Sequence, residues 1–478
     1  MTGRIRSVLD RTKKQRGVMV LNSLLIFFTN FAIFLSVPPQ TKIFENIICR
    51  KMYGDSALHP HPGDDDRCRG ALVQSELARI NGWKTTSEAL PSILLSVAYG
   101  TLADRIGRKP CLQLCTLGML LSEVWTRVVC IWSDTLPLRL VWVSGLLRAI
   151  GGGEPVIDSI MCVMVMDVFE EHNRAVALLR LHSVFIVAKI LAAPTTAAMM
   201  ALGSPWTPFL LSLGMIFIAQ LLSFLLPETL GYAEMQDPDG NKIRKGIAAT
   251  NGNLMQKLAQ STRFIVENRN TAPIIIVNLM ASITKSSNYF LLQYSSAKYE
   301  WSYSLSSLVL TIREVSSLAT YLILMPAASA AVRRASCDSV TAQDKRLCQA
   351  SGLLNVFGFF SVAAAGTPVL YMLALVFLSL GSGFDTAMSS FSTSLVLPHQ
   401  IASLHSVAAT AKSIGGLIAG PLFAQLMQVG LGLDRTWLGV PYIAAGVFFV
   451  AALLALSCIR IQSRNLDEAE QPFLQTDV

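Results

Sequence analysis

The feature that most constrains this chain is the recurrence of apolar stretches long enough to cross a lipid bilayer, with most charges gathered in short segments between them. A transmembrane helix needs about 20 predominantly apolar residues. Such stretches fall at 17–38, 85–103, 110–132, 137–166, 175–200 and 206–226, and again at 273–294, 303–326, 349–366, 368–397, 405–428 and 439–461. The chain therefore reads as an all-α membrane protein with twelve transmembrane helices in two pseudo-symmetric six-helix bundles, residues 17–226 and 273–461. A basic tail (1–16), a linker (227–272) and a second tail (462–478) complete the expected organisation. The fifth and seventh spans are the weakest, since one carries Arg180, His182 and Lys189 and the other Lys285.

Composition supports the bilayer as solvent. Apolar residues make up 52% and charged residues only 15%, against roughly 25% charged in a soluble domain. The net charge of +8 sits beside apolar segments rather than along a basic face, so it reads as a topology signal and not as a nucleic-acid surface. Nine cysteines in 478 residues are too sparse for a disulfide-stapled mini-domain. Soluble enzymes, nucleic-acid binders and disulfide scaffolds are thereby excluded.

Arg4, Arg6, Arg11, Lys13, Lys14 and Arg16 precede the first span and place the N-terminus in the cytosol. An even number of crossings brings the C-terminus to the same side. The linker bases (Lys242, Arg244, Lys245, Lys257, Arg263) and those of the eighth-to-ninth connection (Arg333, Arg334, Lys345, Arg346) then also fall inside. Residues 39–83 are expected as a long outer loop, its six bases balanced by Glu45, Asp55, Asp64, Asp65, Asp66 and Glu76. Cys49 and Cys68 lie in that loop, where an oxidising exterior favours a bridge, but spacing alone leaves the pairing open. The first apolar run is too long for a secretory signal and leads into Pro38-Pro39, so it is expected to stay as a span.

Between the second and third spans stands Gly100-Thr101-Leu102-Ala103-Asp104-Arg105-Ile106-Gly107-Arg108-Lys109. Gly100 would let a neighbouring helix approach closely, Gly107 permits a tight turn, and Asp104 can satisfy exposed amides at a facing helix N-terminus. A plain basic loop would account for Arg105, Arg108 and Lys109 but not for the acid and glycines together. The run resembles the G-x-L-A-D-R-x-G-R-[KR] signature of the major facilitator superfamily. Arg148-Ala149-Ile150-Gly151-Gly152 is similar to that family's fourth-span element, Asp167 through Arg174 to its fourth-to-fifth connection, and Pro227-Glu228-Thr229 to the ending of its sixth span. The resemblance implies a cytosolic latch in which Asp104 faces the eleventh helix and Arg108 pairs with Asp167, released as the halves rock. The fifth span departs from the family's drug-antiporter pattern, keeping Pro194 among alanines where that pattern has glycines. The second half, with Gly381-Ser382-Gly383-Phe384, Gly420-Pro421 and Trp437-Leu438-Gly439, resembles a fungal branch associated with secondary-metabolite gene clusters.

Charges inside the spans sketch a translocation path, because a charge at mid-bilayer costs about 2.5–3.5 kcal/mol on insertion scales and normally faces the bundle interior. Glu123 and Arg127 are four apart on one helix face and can neutralise each other. Arg148, Glu154 and Asp158 surround Gly151-Gly152-Gly153 and Pro155, the pattern of a broken transport helix. Equally, this is a packed kink in which Glu154 or Asp158 neutralises Arg148 or Lys189. In the second half, Lys285, Arg313, Glu314, Asp385 and Lys412 lie within spans. A cavity lined by Arg148, Lys189, Lys285, Arg313 and Lys412 would attract anionic or acceptor-rich solutes, unless Glu314 and Asp385 cancel those bases. Ala411, Gly415, Gly416, Ala419 and Gly420 form a small-residue face suited to helix packing.

No metal-ligand spacing, phosphate loop or dinucleotide fingerprint occurs, so neither cofactor nor metal is expected and transport must run on a gradient. The leading expectation is a monomeric secondary transporter in the plasma membrane. It would export a small organic molecule, such as a fungal secondary metabolite, in exchange for protons bound at Glu154, Asp158, Glu314 or Asp385. The alternatives are proton-coupled uptake of an anionic nutrient, or a non-transporting membrane receptor working through its loop and linker.

Overall fold

The computed structural model describes residues 2–54, 67–169, 171–230, 270–335, 339–395, 401–433 and 435–459. Every regular element among them is helical. The first half contains α1 (Thr2–Tyr53), α2 (Ala71–Ile106), α3 (Arg108–Ile131), α4 (Ser144–Arg148, entered through a 3-10 turn at Leu138–Val143), α5 (Glu154–Val168), α6 (Glu171–Leu202) and α7 (Trp206–Leu225). The second contains α8 (Thr271–Ser286), α9 (Leu291–Tyr299), α10 (Tyr303–Ala319), α11 (Met325–Ala335), α12 (Val340–Ala364), α13 (Pro368–Leu380), α14 (Phe384–Ser394), α15 (Ile401–Gly432) and α16 (Val440–Cys458).

Among the described residues, nine helices are long and apolar enough to cross a membrane. The other three expected spans coincide with α2, with the interrupted α4–α5 and with the interrupted α8–α9. These are the places where charge or a helix break lowers apolarity. Burial is inverted relative to a soluble protein: Glu123, Arg127 and Asn22 are buried while Leu202, Ile323 and Phe224 are exposed. An apolar exterior around a polar interior suits hydrocarbon as the surrounding solvent. The described residues form an integral multi-pass membrane protein.

The 39–83 stretch expected as a loop is corrected in large part, since α1 continues to Tyr53 and α2 begins at Ala71. Residues 2–16, expected as a tail, likewise belong to α1. The helix runs through Pro38 and Pro39 because other groups take up what the prolines leave unbonded. Pro39 cannot bond the Leu35 carbonyl, and Thr196 Oγ1 of α6 lies 3.3 Å from it. Cys49 and Cys68 are buried and disulfide-bonded, with Cα atoms 5.2 Å apart, tying the end of α1 to the start of α2. Most of the linker, with Lys242, Arg244, Lys245, Lys257 and Arg263, and the tail from residue 460 lie outside the described residues.

The chain reverses alternately at two ends. The disulfide end gathers Arg50 with Asp134, Arg69 with the Glu300 carbonyl 2.8 Å away, and Lys298 with the Ala363 carbonyl at 3.1 Å. The signature end gathers Arg108, Asp167 and Glu228, and the pair Ser390 and Asp344. Two buried clusters fill the first half, around Met161 and around Phe44. A single larger cluster around Tyr294 and Phe423 fills the second and takes in Ala78 of α2.

Candidate functional site at the plane between the two halves

The halves meet along two seams. In the first, α2 lies against α15: a Cβ on Gly82 would stand 2.6 Å from the Gly420 carbonyl oxygen, so only glycine permits this approach. Pro421 leaves the Leu417 carbonyl without its helical donor, and Thr86 Oγ1 donates to it at 3.3 Å from the other half. In the second seam, α6 runs beside α10, with Ser304 Oγ donating to the Ala197 carbonyl at 2.6 Å and Ser307 Oγ to that of Ala193 at 3.4 Å. One step further from the disulfide end, Lys189 Nζ meets Glu314 Oε2 at 2.6 Å.

A buried polar knot closes the disulfide end. Gln293 Nε2 donates to the Gln74 carbonyl at 2.8 Å, Gln74 Nε2 to Glu45 Oε1 at 2.6 Å, and Tyr303 hydroxyl to the same oxygen at 3.2 Å. Lys42 Nζ balances Glu45 at 2.8 Å. Hydrogen bonds and an ion pair join described residues of the two halves at this end and at mid-depth.

The signature turn is organised within the first half. Gly107 has φ +109°, and a side chain there would collide with the Glu228 carboxylate. Glu228 receives the α3 N-terminus, accepting from Arg108 N at 2.9 Å and Lys109 N at 3.1 Å. Asp104 pairs with the Arg108 guanidinium one turn along. Arg108 Nε also donates to Asp167 Oδ2 at 3.3 Å, and Thr229 Oγ1 reaches the same oxygen at 3.3 Å. Most side chains at the start of α15, where the expected contact of Asp104 with the eleventh span falls, lie outside the described residues. Gly100 has no neighbour within 4 Å where close helix approach was expected, and Arg105 is exposed. Burial would raise the Glu228 carboxyl, but the backbone N–H groups of Leu230, Arg108, Lys109 and Thr229 outweigh it and hold it below the ordinary 4.5.

Deep in the first half, five charged side chains form one network. Arg127 Nη1 meets Glu123 Oε2 at 2.5 Å, and Arg148 Nη2 lies 3.4 Å from Glu123 Oε1 and 3.3 Å from Glu88 Oε2. Lys84 Nζ meets Glu88 Oε1 at 2.7 Å. The remaining hydrogen-bonding capacity is widely met. Arg127 donates to Ser212 Oγ at 2.7 Å and to the Phe209 carbonyl at 3.0 Å, with its guanidinium 4.2 Å from the Phe209 ring centre. Arg148 Nε donates to Ser122 Oγ at 3.2 Å, and Ser144 Oγ donates to Glu88 at 3.0 Å.

Lys84 and Glu88 escaped the sequence reading, which placed the second span's start between them. Their i, i+4 spacing at an apolar boundary was the available signal. Arg148 and Lys189 thus take their acids from α2, α3 and α10, not from Glu154 or Asp158. No ion pair holds either of those two among the described residues. They follow the break at Gly152 (φ +74°) and Gly153 (φ +84°), where α4 ends and α5 begins.

The second half presents a looser arrangement. Asp385 is shared by Lys285 at 3.2 Å and Lys412 at 3.8 Å, with side-chain exposures of 74% for Lys285 and 39% for both others. Asp385 follows the 3-10 turn Gly381–Gly383, whose Gly381 carbonyl accepts from Asn355 Nδ2 at 2.6 Å. Arg313 Nη1 reaches Glu314 at 3.3 Å, so Glu314 also serves two bases. Tyr289 is 65% exposed yet lies within electrostatic range of Glu154, Arg148 and Glu88 across the plane. A side chain both solvent-accessible and situated between the halves lines an open space there. The small-residue face of α15 packs through Gly415, where a Cβ would meet the Leu279 carbonyl oxygen at 2.7 Å, and through Gly420, while Gly416 faces nothing within 4 Å. Among the described residues no cluster suits a metal ion.

Known proteins resemble this chain over its whole length. Residues 19–249 match the family model described as Major Facilitator Superfamily. The MFS-type transporter avaK of Aspergillus versicolor is 70% identical over 100% of both chains. The MFS efflux pump atnC of Emericella nidulans is 32% identical, with 85% of this chain and 80% of that one covered. The efflux pump ustT of Aspergillus flavus is 31% identical, with 93% and 88% covered. Among solved structures, the D-xylose-proton symporter superposes with a TM-score of 0.66 at 13% identity, covering 94% of this chain and 98% of that one. The nucleoside transporter NupG gives 0.64 at 13% identity, covering 92% and 98%. These two establish a shared fold.

Proposed function

We propose a function from one premise: the chain belongs to the Major Facilitator Superfamily and is a secondary active transporter of a small organic molecule, not an enzyme. On this reading it is a fungal efflux pump that moves a secondary metabolite outward in exchange for protons, with twelve crossings, both termini cytosolic, acting as a monomer in the plasma membrane. The direction draws on the relatives named as efflux pumps. The observation that carries the mechanism is the Lys189–Glu314 pair, which joins α6 to α10 at mid-depth beside side chains open to solvent. A charge pair on the dividing plane of an apolar bundle is costly and is the contact that rocking of the halves must break and re-form.

The bonds that join described residues of the two halves lie at the disulfide end and at mid-depth, which supports reading the geometry as a state loaded from the signature side. If that side is cytosolic, solute enters between Tyr289 and the Lys285–Asp385–Lys412 group. The signature turn, with Arg108 between Asp104 and Asp167, keeps the first half rigid as it moves. Glu154 and Asp158, held by no ion pair among the described residues, are the carboxyls best placed to gain and lose the coupled proton, whereas Glu314 and Asp385 are each occupied by two bases.

The test is labelled-solute flux in sealed vesicles under an imposed pH gradient, comparing the parent with Arg148→Ala, Asp104→Asn and Glu154→Gln. Outward flux driven by the gradient and lost in Glu154→Gln supports proton-coupled export. Accumulation at acidic external pH selects uptake, and flux indifferent to the gradient sinks proton coupling.

A further inference from the structure

We infer that Lys285 and Lys412, arranged around Asp385 in the second half, form a recognition site for an anionic group, and that the solute carries a carboxylate on an aromatic body. The inference deepens the export reading and rests on the same cavity.

Charge balance is the first support. The described bases of the second half at mid-depth are Lys285, Arg313 and Lys412, and Lys189 enters from the first half. The only carboxylates paired with them are Glu314, already between Lys189 and Arg313, and Asp385, already between Lys285 and Lys412. Each acid therefore answers two bases, and each group keeps one positive charge in excess. In the first half Glu88 and Glu123 are engaged by Lys84, Arg127 and Arg148, and Glu154 and Asp158 form no ion pair with the second-half bases among the described residues. A positive excess at bilayer depth is expensive unless solvated or paired.

Geometry decides which of the two groups is open to a ligand. Glu314 and its bases are mostly covered, with exposures of 16–27%, whereas Lys285 is 74% exposed and Lys412 39%. The 3.8 Å separation of Lys412 from Asp385 is longer than a hydrogen bond, so this ammonium is attracted without being saturated. The two lysines stand on a rigid pair of helices: Ser282 Oγ of α8 donates to the Lys412 carbonyl at 2.5 Å, and Gly415 packs directly on the α8 backbone. Two ammonium groups on fixed backbones make a preorganised anion clamp, and lysine, as a compact point charge, accepts carboxylate from several directions. Two exposed phenols come from adjoining segments: Tyr321 reaches the turn that precedes Asp385, and Tyr289 follows Lys285 by four residues. Tyr321, 38% exposed, hydrogen-bonds the Ser382 carbonyl at 2.9 Å, and Tyr289 is 65% exposed. They supply aromatic surface for the body of the solute.

The experiment measures binding to the full chain in lipid nanodiscs at constant ionic strength, using radiolabelled 1-naphthoate and its neutral isostere 1-naphthamide. The expected result is saturable naphthoate binding with little for the amide. A loss of about tenfold is expected in K285Q/K412Q, the scale of one charge-assisted hydrogen bond, with retention in K285R/K412R. Asp385→Asn removes the internal competitor and should tighten naphthoate binding, an outcome opposite to that of a merely structural role. Equal binding of acid and amide, no naphthoate binding, unchanged binding in K285Q/K412Q, or weaker binding in Asp385→Asn would each overturn the inference. If K285Q/K412Q does not fold, the direction of change in Asp385→Asn decides. Naphthoate bound without gradient-driven flux would remove the export reading and leave the anion site standing. Flux confined to the neutral amide would do the reverse.

Discussion

The two halves handle intramembrane charge in opposite ways. In the first, Lys84, Glu88, Glu123, Arg127 and Arg148 interlock, and serines and a backbone carbonyl take up further donors, so the charges are buried with exposures of 2–13%. In the second, Lys285, Asp385 and Lys412 share one carboxylate and stay open. A fully bonded network is rigid and costly to disturb, while an under-neutralised, solvated group is cheap to disturb and free to exchange partners. On the proposed reading, the contrast gives stability to one half and ligand exchange to the other.

The strongest way to break that contrast is to remove one charge from each half. Arg127→Met leaves Glu123 buried against an apolar side chain and should destabilise by about 3–5 kcal/mol, seen as lost folded protein on fluorescence-detected size exclusion. Lys285→Gln should change the melting temperature little, by at most about 1 kcal/mol. Equal effects would dissolve the distinction. Next in size is the pair between the halves. In a double-mutant cycle, Lys189→Met and Glu314→Gln should show a coupling of about 1–2 kcal/mol in the thermal stability of the purified protein, and simple additivity would mean that the pair does not hold the seam.

Smaller still is the seam at α2. Thr86→Val removes the donor to the carbonyl freed by Pro421, at about 1 kcal/mol, and should favour opening at the disulfide end. Greater thiol-reagent labelling of Gln293→Cys in the Thr86→Val background checks this, and unchanged labelling counts against it.

The least effect is expected at the signature turn. Glu228 has a carboxyl held below the ordinary 4.5. Because its folded value is the lower one, its contribution is complete above the unfolded value and is lost as pH falls through the folded value. Amide exchange at Arg108 and Lys109, corrected for intrinsic rates, should therefore be slow at neutral pH and become faster as pH falls through the lowered folded value of Glu228, with Glu228→Gln fast throughout.

Much of the fold was legible because hydrocarbon imposes a length and a polarity on each crossing. The expected spans fall on helices, and Arg108 lies beside Asp167 as the resemblance implied. The site was legible only in part. Glu123 with Arg127 could be read because four-residue spacing places both on one helix face. Glu88, the partner of Arg148, could not, because it comes from α2, 60 residues earlier. Glu45, Gln74, Gln293 and Tyr303 could not be read as a knot, since the first two fell in a stretch taken for loop and nothing local announces their meeting.

What the sequence by itself determined was the solvent, the helical class, the family and the inventory of charges that must face inward, because each follows from local apolarity or from a contiguous motif. What only the tertiary structure decided was the pairing: which acid answers which base, and through which described residues the two halves are bonded. Pairing depends on distances between side chains far apart along the chain. Helix packing sets those distances, and in this molecule it does so through glycine contacts such as Gly82 on Gly420 and Gly415 on Leu279.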